Sequence, residues 1–325
     1  MTTVRPVELV ELLSEVSGDP ATVLGPDALV LVDAGVGTVP FGWTPGALPV
    51  VLVGVADESD LVALDPAPYD VVLTPADPML AAITDAVRRH PVAATSLAVL
   101  LRGTERRTVE DGLAAESAVY STLQAGAEFA AWLAGTAAHR QPPDEEPPVL
   151  VERSGDELHV VLNRPRRHNA VSVALRDALA EALTLGVVDD SIRAVRLSGN
   201  GPSFCSGGDL GEFGSFPDPA TAHVTRLMRS PARIAHHLTD RLHVQLHGAC
   251  MGGGIEVAAF AGRVVAADDT AIALPEVALG LIPGAGGTAS IPRRIGRHRT
   301  AALALSGVAI DAGTALRWGL VDDAR

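Results

Sequence analysis

Hydrophobic and polar positions follow two styles along this chain, and the change falls at QPPDEEPP, residues 141–148. Prolines and acids replace the apolar residues there, so the segment cannot bury enough surface to fold and reads as an extended linker. After it, VLVERSGDELHVVLNRP predicts two strands around a Ser154-Gly155-Asp156 turn. A helix is expected over residues 172–185, a strand over 192–198 and a glycine-rich loop over 199–211. A helical stretch around 220–238 leads to a strand at 242–246 and a second glycine loop at 248–254. A helix opening at Glu256 runs EVAAFAG and stops at Gly262, and strands follow at 263–267 and 271–274. The loop 280–288 and two helical segments, 290–306 and 311–318, come next. Strands repeatedly followed by helices predict an α/β domain with parallel strands.

Ahead of the linker, the runs ALVLVDAG and LPVVLVGVAD read as buried strands, with YDVVLT at residues 69–74 as a third. From Asp77 to about Arg140 the pattern is helical; Asp77-Pro78 supplies an N-cap and an N1 proline, and a break falls at His90-Pro91. The chain therefore divides into a small α/β extension (1–68), a helical region (69–140), the linker (141–148) and an α/β core (149–325). No repeat of 20–50 residues is evident.

Composition narrows the function classes. With 47% hydrophobic and 20% charged residues among 325, wholesale disorder is excluded and there is ample material for a core. Lys+Arg 25 against Asp+Glu 39 gives a net charge of −14, which disfavours binding to nucleic acid or an anionic membrane surface. An anionic ligand must find a local basic patch, and Arg164, Arg166 and Arg167 form one beside the first strand pair. Cys205 and Cys250 cannot build a disulfide framework and read as small buried residues of a reducing compartment. Acids interrupt the apolar run of MTTVRPVELVELLSEV, which argues against a secretory signal, and no stretch of about 18 apolar residues predicts a membrane span. A cytoplasmic protein is expected.

The candidate chemistry lies in two short segments, Gly252-Gly253-Gly254-Ile255-Glu256 and Leu274-Pro275-Glu276. Two carboxylates divide acid and base roles when their surroundings push their pKa values apart, and glycines offer bare backbone N–H groups to a developing oxyanion. Taken singly, Glu256 also reads as a first-turn residue facing the helix dipole, and Glu276 as a solvated turn residue. Asp209 reads as a cap or loop brace, and Gly284-Ala285-Gly286-Gly287 as a tight loop in preference to a phosphate cradle.

The blocks NRPRRHNAVS, FCSGGDLGEF, HGACMGGGIEVA and LPEVALGLIPGAGGT resemble, in order and spacing, the signature blocks of the crotonase (enoyl-CoA hydratase/isomerase) superfamily, over roughly residues 149–323. The resemblance implies a spiral of ββα units, with the N-terminal α/β and helical regions as additions. It further implies an acyl-CoA thioester substrate, no metal or other cofactor, and an oxyanion hole from the N–H groups of Gly208 and Gly253. Glu256 and Glu276 fall where hydratases of the family activate water and deliver a proton to the α-carbon, and CoA phosphates are expected on Arg164, Arg166 and Arg167. A homotrimer or a dimer of trimers is the implied assembly. Keeping both acids favours hydration of a 2-enoyl-CoA; isomerisation, a specialised secondary-metabolite reaction and a non-catalytic acyl-CoA-binding or scaffold role are the alternatives.

The family pattern continues past a block like Trp318-Gly319-Leu320-Val321-Asp322 with further helices, whereas this chain stops at Arg325. Residues 69–140 resemble that closing segment, including Gly112-Leu113-Ala114-Ala115-Glu116. A circularly permuted arrangement is therefore expected, with residues 141–148 as the new connection.

Overall fold

In a computed structural model of the chain, which describes residues 4–6, 8–9, 28–39, 43–136, 146–215 and 218–325, the first three strands form one parallel sheet. They are β1 (Leu29–Asp33), β2 (Val51–Val55) and β3 (Val71–Leu73), in that order, with the short helix α1 (Glu58–Leu61) between the last two. Residues 10–27 and 137–145, on which the readings of the N-terminus and of most of the linker fall, lie outside the described residues.

Side chains alternate across this sheet, so its two faces serve different cores. Leu31, Val51, Val53, Val71 and Leu73 join the large core, while Val30, Val32, Leu52 and Tyr69 join a smaller one on the opposite face. β3 pairs with β2 across position 68/69, so the extension and the helical region share one sheet. A buried ion pair ties that sheet to the helical region: Asp70 accepts from Leu52 N–H at 2.9 Å and is met bidentately by Arg102 at 2.8 and 2.7 Å.

Four helices come next. α2 (Pro78–Arg89) starts where expected, with Asp77 accepting the Met79 N–H at 2.8 Å and Pro78 at N1. It ends at His90, and Pro91 opens α3 (Pro91–Arg102), because a proline cannot continue the preceding helix. α4 (Val109–Gln124), capped by Thr108, and α5 (Ala127–Gly135) complete the group.

The remaining elements follow the predicted order. β4 (Val149–Ser154) and β5 (Glu157–Leu162) are antiparallel around Gly155, whose φ of 63° suits a residue without a side chain. α6 (Val173–Val188) is capped by Ser172, and β6 (Ala194–Gly199) follows. The helical stretch expected near 220–238 is two helices, α7 (Pro219–Met228) and α8 (Pro231–His237), because Pro231 forces a new start. Then come β7 (Leu242–Leu246), β8 (Ala249–Met251), α9 (Gly253–Ala258), β9 (Arg263–Ala266) and β10 (Ala271–Ala273). α10 (Gly287–Ser306), β11 (Ile310–Asp311), α11 (Ala312–Trp318) and β12 (Asp323–Ala324) close the order.

A six-stranded sheet runs β12-β9-β7-β6-β5-β4, parallel except at the β4–β5 hairpin, and β11-β10-β8 forms a separate small sheet. The architecture is mixed α/β. Helices α2 to α5 pack into it and not beside it: α4 lies on α7, α8 and α10, while α2 and α3 lie on α10. No described helix is long and apolar enough to cross a membrane.

Candidate active site

Both predicted glutamates follow paired strands. β8 and β10 run parallel with Met251 opposite Ala273, so the segments leaving their ends emerge side by side. Gly252 turns the chain out of β8 at φ 45° and ψ −122°, and its N–H is held by Ala273 O at 3.0 Å. A Cβ there would sit 2.1 Å from Glu276 Oε1 and 3.8 Å from Glu256 Oε1. Glycine is thus required by the backbone angle, and the Glu276 carboxylate holds the space a side chain would take, with Glu256 at contact distance from the same point.

Glu256 lies in the first turn of α9 and is 2% exposed. Its Oε2 accepts the N–H groups of Ala285 at 2.7 Å and Gly287 at 2.8 Å. Glu276 opens a 3-10 turn, Glu276–Leu279, and its Oε2 is buried with no hydrogen-bond partner among the described residues. An orphaned buried carboxyl oxygen is costly in a folded protein and marks a place where a water or a ligand completes the site.

A third carboxylate joins them that the motifs did not single out. Glu116 of α4, also 2% exposed, accepts from Gly286 N–H at 2.7 Å, Thr288 N–H at 2.8 Å and Thr288 Oγ1 at 2.7 Å. Four successive amides, 285 to 288, therefore donate alternately to Glu256 and Glu116 at the N-terminus of α10, where the unpaired N–H groups of a helix favour anions. A signal was present in the sequence: Val109, Gly112, Leu113, Glu116 and Ser117 form a buried stripe at helical spacing, with an acid in its middle.

Burial raises all three carboxyl pKa values, each against a different opposing pull. Glu256 is pushed up to about 7 by desolvation, and the amides of Gly287 and Ala285 hold it from going further. Glu116 reaches about 8 through desolvation and the charge of Glu256, opposed by its bonds to Thr288 and Gly286. Glu276 is raised well above the usual carboxylate range by desolvation and then by Glu256.

These groups line a cavity of about 480 Å³, within the range of small-molecule sites. Leu162, Val171, Leu175, Leu179, Phe204 and Val257 supply apolar wall. Gly208 and Gly253 also line it, and neither N–H has an acceptor among the described residues. Phe129 and Trp132 of α5 pack on Phe213, with ring centroids 6.4 and 5.8 Å from it. A Cβ on Gly208 would fall 2.7 Å from that same Phe213 ring.

Of the three arginines expected to meet CoA phosphates, Arg164 is turned into the fold. Arg164 is 4% exposed, donates to Asp209 at 2.9 Å and to Ala170 O, and so braces the loop that carries Gly208. Arg167 lies 3.9 Å from the same Asp209, whose other oxygen accepts Gly211 N–H at 3.1 Å; Arg166 is exposed. None of the three lines the cavity. The arginines that do are Arg176 of α6, Arg226 of α7, Arg229 just after it and Arg233 of α8. Charge along the sequence could not distinguish a buried brace from a ligand-facing cation.

The thiols do no nucleophilic work in this geometry: Cys205 and Cys250 are buried, and desolvation pushes the Cys205 thiol up to about 12. Among the described residues no group of three His, Cys, Asp or Glu side chains is placed to hold a metal ion.

The second half of the chain is similar to known proteins. The model of the enoyl-CoA hydratase/isomerase family matches residues 155–325. A 2,3-dehydroadipyl-CoA hydratase of Escherichia coli is 35% identical over 175 residues, 54% of this chain and 68% of its own. A mevalonyl-coenzyme A hydratase of Aspergillus fumigatus is 32% identical over 168 residues, 51% of this chain and 61% of its own, so the match spans less than two thirds of that relative. Among solved structures, an enoyl-CoA hydratase of Thermoplasma volcanium is 34% identical with a TM-score of 0.50, covering 56% of this chain and 73% of that one. An enoyl-CoA hydratase of Thermobifida fusca in complex with CoA, described as putative, is 26% identical with a TM-score of 0.50, covering 55% and 72%.

Proposed function

The chain belongs to the enoyl-CoA hydratase/isomerase family, the crotonase superfamily, and from that premise we propose that it adds water to a 2-enoyl-CoA thioester. The observation that carries the reading is the convergence of two carboxylates on the volume beside Gly252, in a cavity where the amides of Gly208 and Gly253 have no other acceptor.

The thioester oxygen lies between those two amides, which stabilise the enolate as charge develops; one such donor is worth about 3–4 kcal/mol. Glu256, its Oε2 held by two amides, turns Oε1 to a water and takes its proton as the oxygen bonds to Cβ. The C=C electron pair moves onto the thioester oxygen, and Glu276 delivers its proton to Cα as the enolate collapses. The roles follow from the surroundings: the helix amides favour the anion at Glu256, while burial, the Glu256 charge and a partnerless Oε2 favour the acid at Glu276.

One assay separates this from the sister reaction. The purified chain is expected to form 3-hydroxyacyl-CoA from short 2-enoyl-CoA esters. Formation of 2-enoyl-CoA from a 3-enoyl-CoA with no hydroxylated product from either would replace hydration by isomerisation. Tight binding without turnover would replace both by a non-catalytic role.

Helices α2 to α5 are part of the same proposal: they close the acyl pocket from a position ahead of the core strands, as a circular permutation requires. What supports this is that Glu116 and Tyr120 of α4 line the cavity together with Glu256. Cleavage at a protease site inserted within residues 141–145 is expected to leave the two pieces associated and active. Separation of the pieces at physiological salt, with an intact pocket activity in the second alone, would reject the permuted arrangement.

A further inference from the structure

Arg226 of α7 lines the cavity and is half-buried, yet everything it touches is neutral. Its Nε donates to Ser117 Oγ at 3.2 Å, Nη1 to Gln124 Oε1 at 3.2 Å and Nη2 to Ser121 Oγ. Its guanidinium lies over the Tyr120 ring, 4.6 Å from the centroid. No carboxylate among the described residues forms an ion pair with it. Arg102, Arg164 and Arg294 each meet an acid, Asp70, Asp209 and Asp322, whereas Arg297, like Arg226, bonds only neutral oxygens; of the two only Arg226 lines the cavity. A charge taken out of water without a counterion is costly, and neutral hydroxyl and amide acceptors offset only part of that cost.

The position of Arg226 ties it to the reacting end. Tyr120, on which it stacks, packs against Gly284 so closely that a Cβ there would lie 2.3 Å from the ring. Gly284 directly precedes Ala285, whose N–H holds Glu256. The guanidinium is therefore one aromatic ring away from the loop whose amides hold the candidate base. Three of the five guanidinium N–H groups are occupied, which leaves two for a ligand. The hydroxyls that accept from Arg226 have other contacts as well: Ser121 Oγ donates to Pro219 O at 2.9 Å, and Ser117 Oγ lies 2.9 Å from His223 Nδ1.

We propose that the acyl group taken by this cavity ends in a carboxylate, and that Arg226 is the specificity-determining residue that pairs with it. This rests on the acyl-CoA reading of the site and names the substrate class within it: a 2-enoyl-CoA derived from a short dicarboxylic acid. The acyl carboxylate supplies the direct ion-pair partner that Arg226 lacks among the described residues, in a charge-assisted contact with a planar fork of donors. The preference it produces is a ratio between two esters of equal length.

The test compares hydration of carboxylate-ended and methyl-ended 2-enoyl-CoA esters of matched length by the full-length chain, its Arg226→Met variant and its Arg226→Lys variant. The wild type is expected to favour the carboxylate-ended ester in kcat/KM by about tenfold or more; Arg226→Met brings the ratio to near one, and Arg226→Lys keeps part of it. A wild-type ratio at or below one overturns the proposal, as does an equal loss on both esters in Arg226→Met, which is what a strut between α7 and α4 would give. The wild-type ratio decides the matter even where Arg226→Met does not fold. If neither ester is hydrated, the reaction reading has failed, and calorimetric binding of the saturated dicarboxylyl-CoA against its methyl-ended counterpart decides the carboxylate pocket by itself. Preferential binding that Arg226→Met abolishes sustains the pocket, and equal binding rejects it.

Discussion

Glu276→Gln is expected to lower kcat for hydration by about 10²–10⁴-fold while leaving the fold at least as stable as the wild type. The carboxyl makes no hydrogen bond at Oε2, so the amide forfeits no partner there. It also removes a group that burial and the Glu256 charge keep protonated far above the usual carboxylate range. Glu256→Gln is expected to cost a similar factor for a different reason: its carbonyl oxygen can still accept from Ala285 and Gly287, but the cavity side now carries an NH₂ that takes no proton. In the wild type, kcat/KM rises with pH as Glu256 loses its proton near about 7 and falls at higher pH as Glu276 loses its own. Glu256→Gln removes the rising limb from whatever activity is left, and Glu276→Gln removes the falling one. Hydration by Glu276→Gln within a few-fold of wild type at all pH values would reject it as the proton donor.

The same shifts set the sign of the stability profile. A carboxyl whose folded pKa lies above its usual 4.5 makes the folded state bind more protons than the unfolded one between the two values. The stability it contributes is fully present below 4.5 and is lost as pH rises through the folded value, near 7 for Glu256 and 8 for Glu116. Melting temperature is thus expected to fall from mildly acidic to mildly alkaline pH. Because the groups are close neighbours, the fall reflects the set of them and not one site.

What the sequence disclosed and what it hid divide along the distance between partners. The Asp77-Pro78 start, the His90-Pro91 break, the Gly155 hairpin and the helix starting near Ser172 were legible because each is decided by residues a few positions apart. Glu256 and Glu276 were legible because glycine and proline mark the turns that present them. Arg164 was misjudged because its partner, Asp209, lies 45 residues downstream, and nothing local to NRPRR says that the guanidinium is buried. The division at position 68/69 has the same weakness: β3 looks like the start of a new segment until its pairing with β2 is seen. Glu116 was the hardest, since the amides that donate to it are 170 and 172 residues away, in the other half of the chain.

That distance makes Glu116 the residue whose loss should be felt most widely. Glu116→Ala leaves the buried amides of Gly286 and Thr288 and the Thr288 hydroxyl without their acceptor. Each orphaned donor costs about 1–3 kcal/mol, so for the three of them a loss of roughly 3–9 kcal/mol is expected in denaturant unfolding. The loss does not stay in the fold. Gly286 and Thr288 alternate with Ala285 and Gly287, and a loop released on one side no longer presents its other two amides to Glu256. kcat is therefore expected to fall about tenfold or more at a temperature where the variant is still folded, with the pH for half-maximal kcat/KM displaced from that of the wild type. Glu116→Gln distinguishes charge from shape: it keeps one acceptor, costs less stability at neutral pH, and flattens the alkaline fall in melting temperature because no buried carboxyl is left at that position to ionise. A Glu116→Ala variant with wild-type unfolding midpoint and wild-type kcat would mean that α4 merely covers the pocket. The expected result instead makes a carboxylate from the first half of the chain the support on which the base of the second half depends, and the same contacts are what should hold the two halves together once residues 141–145 are cut.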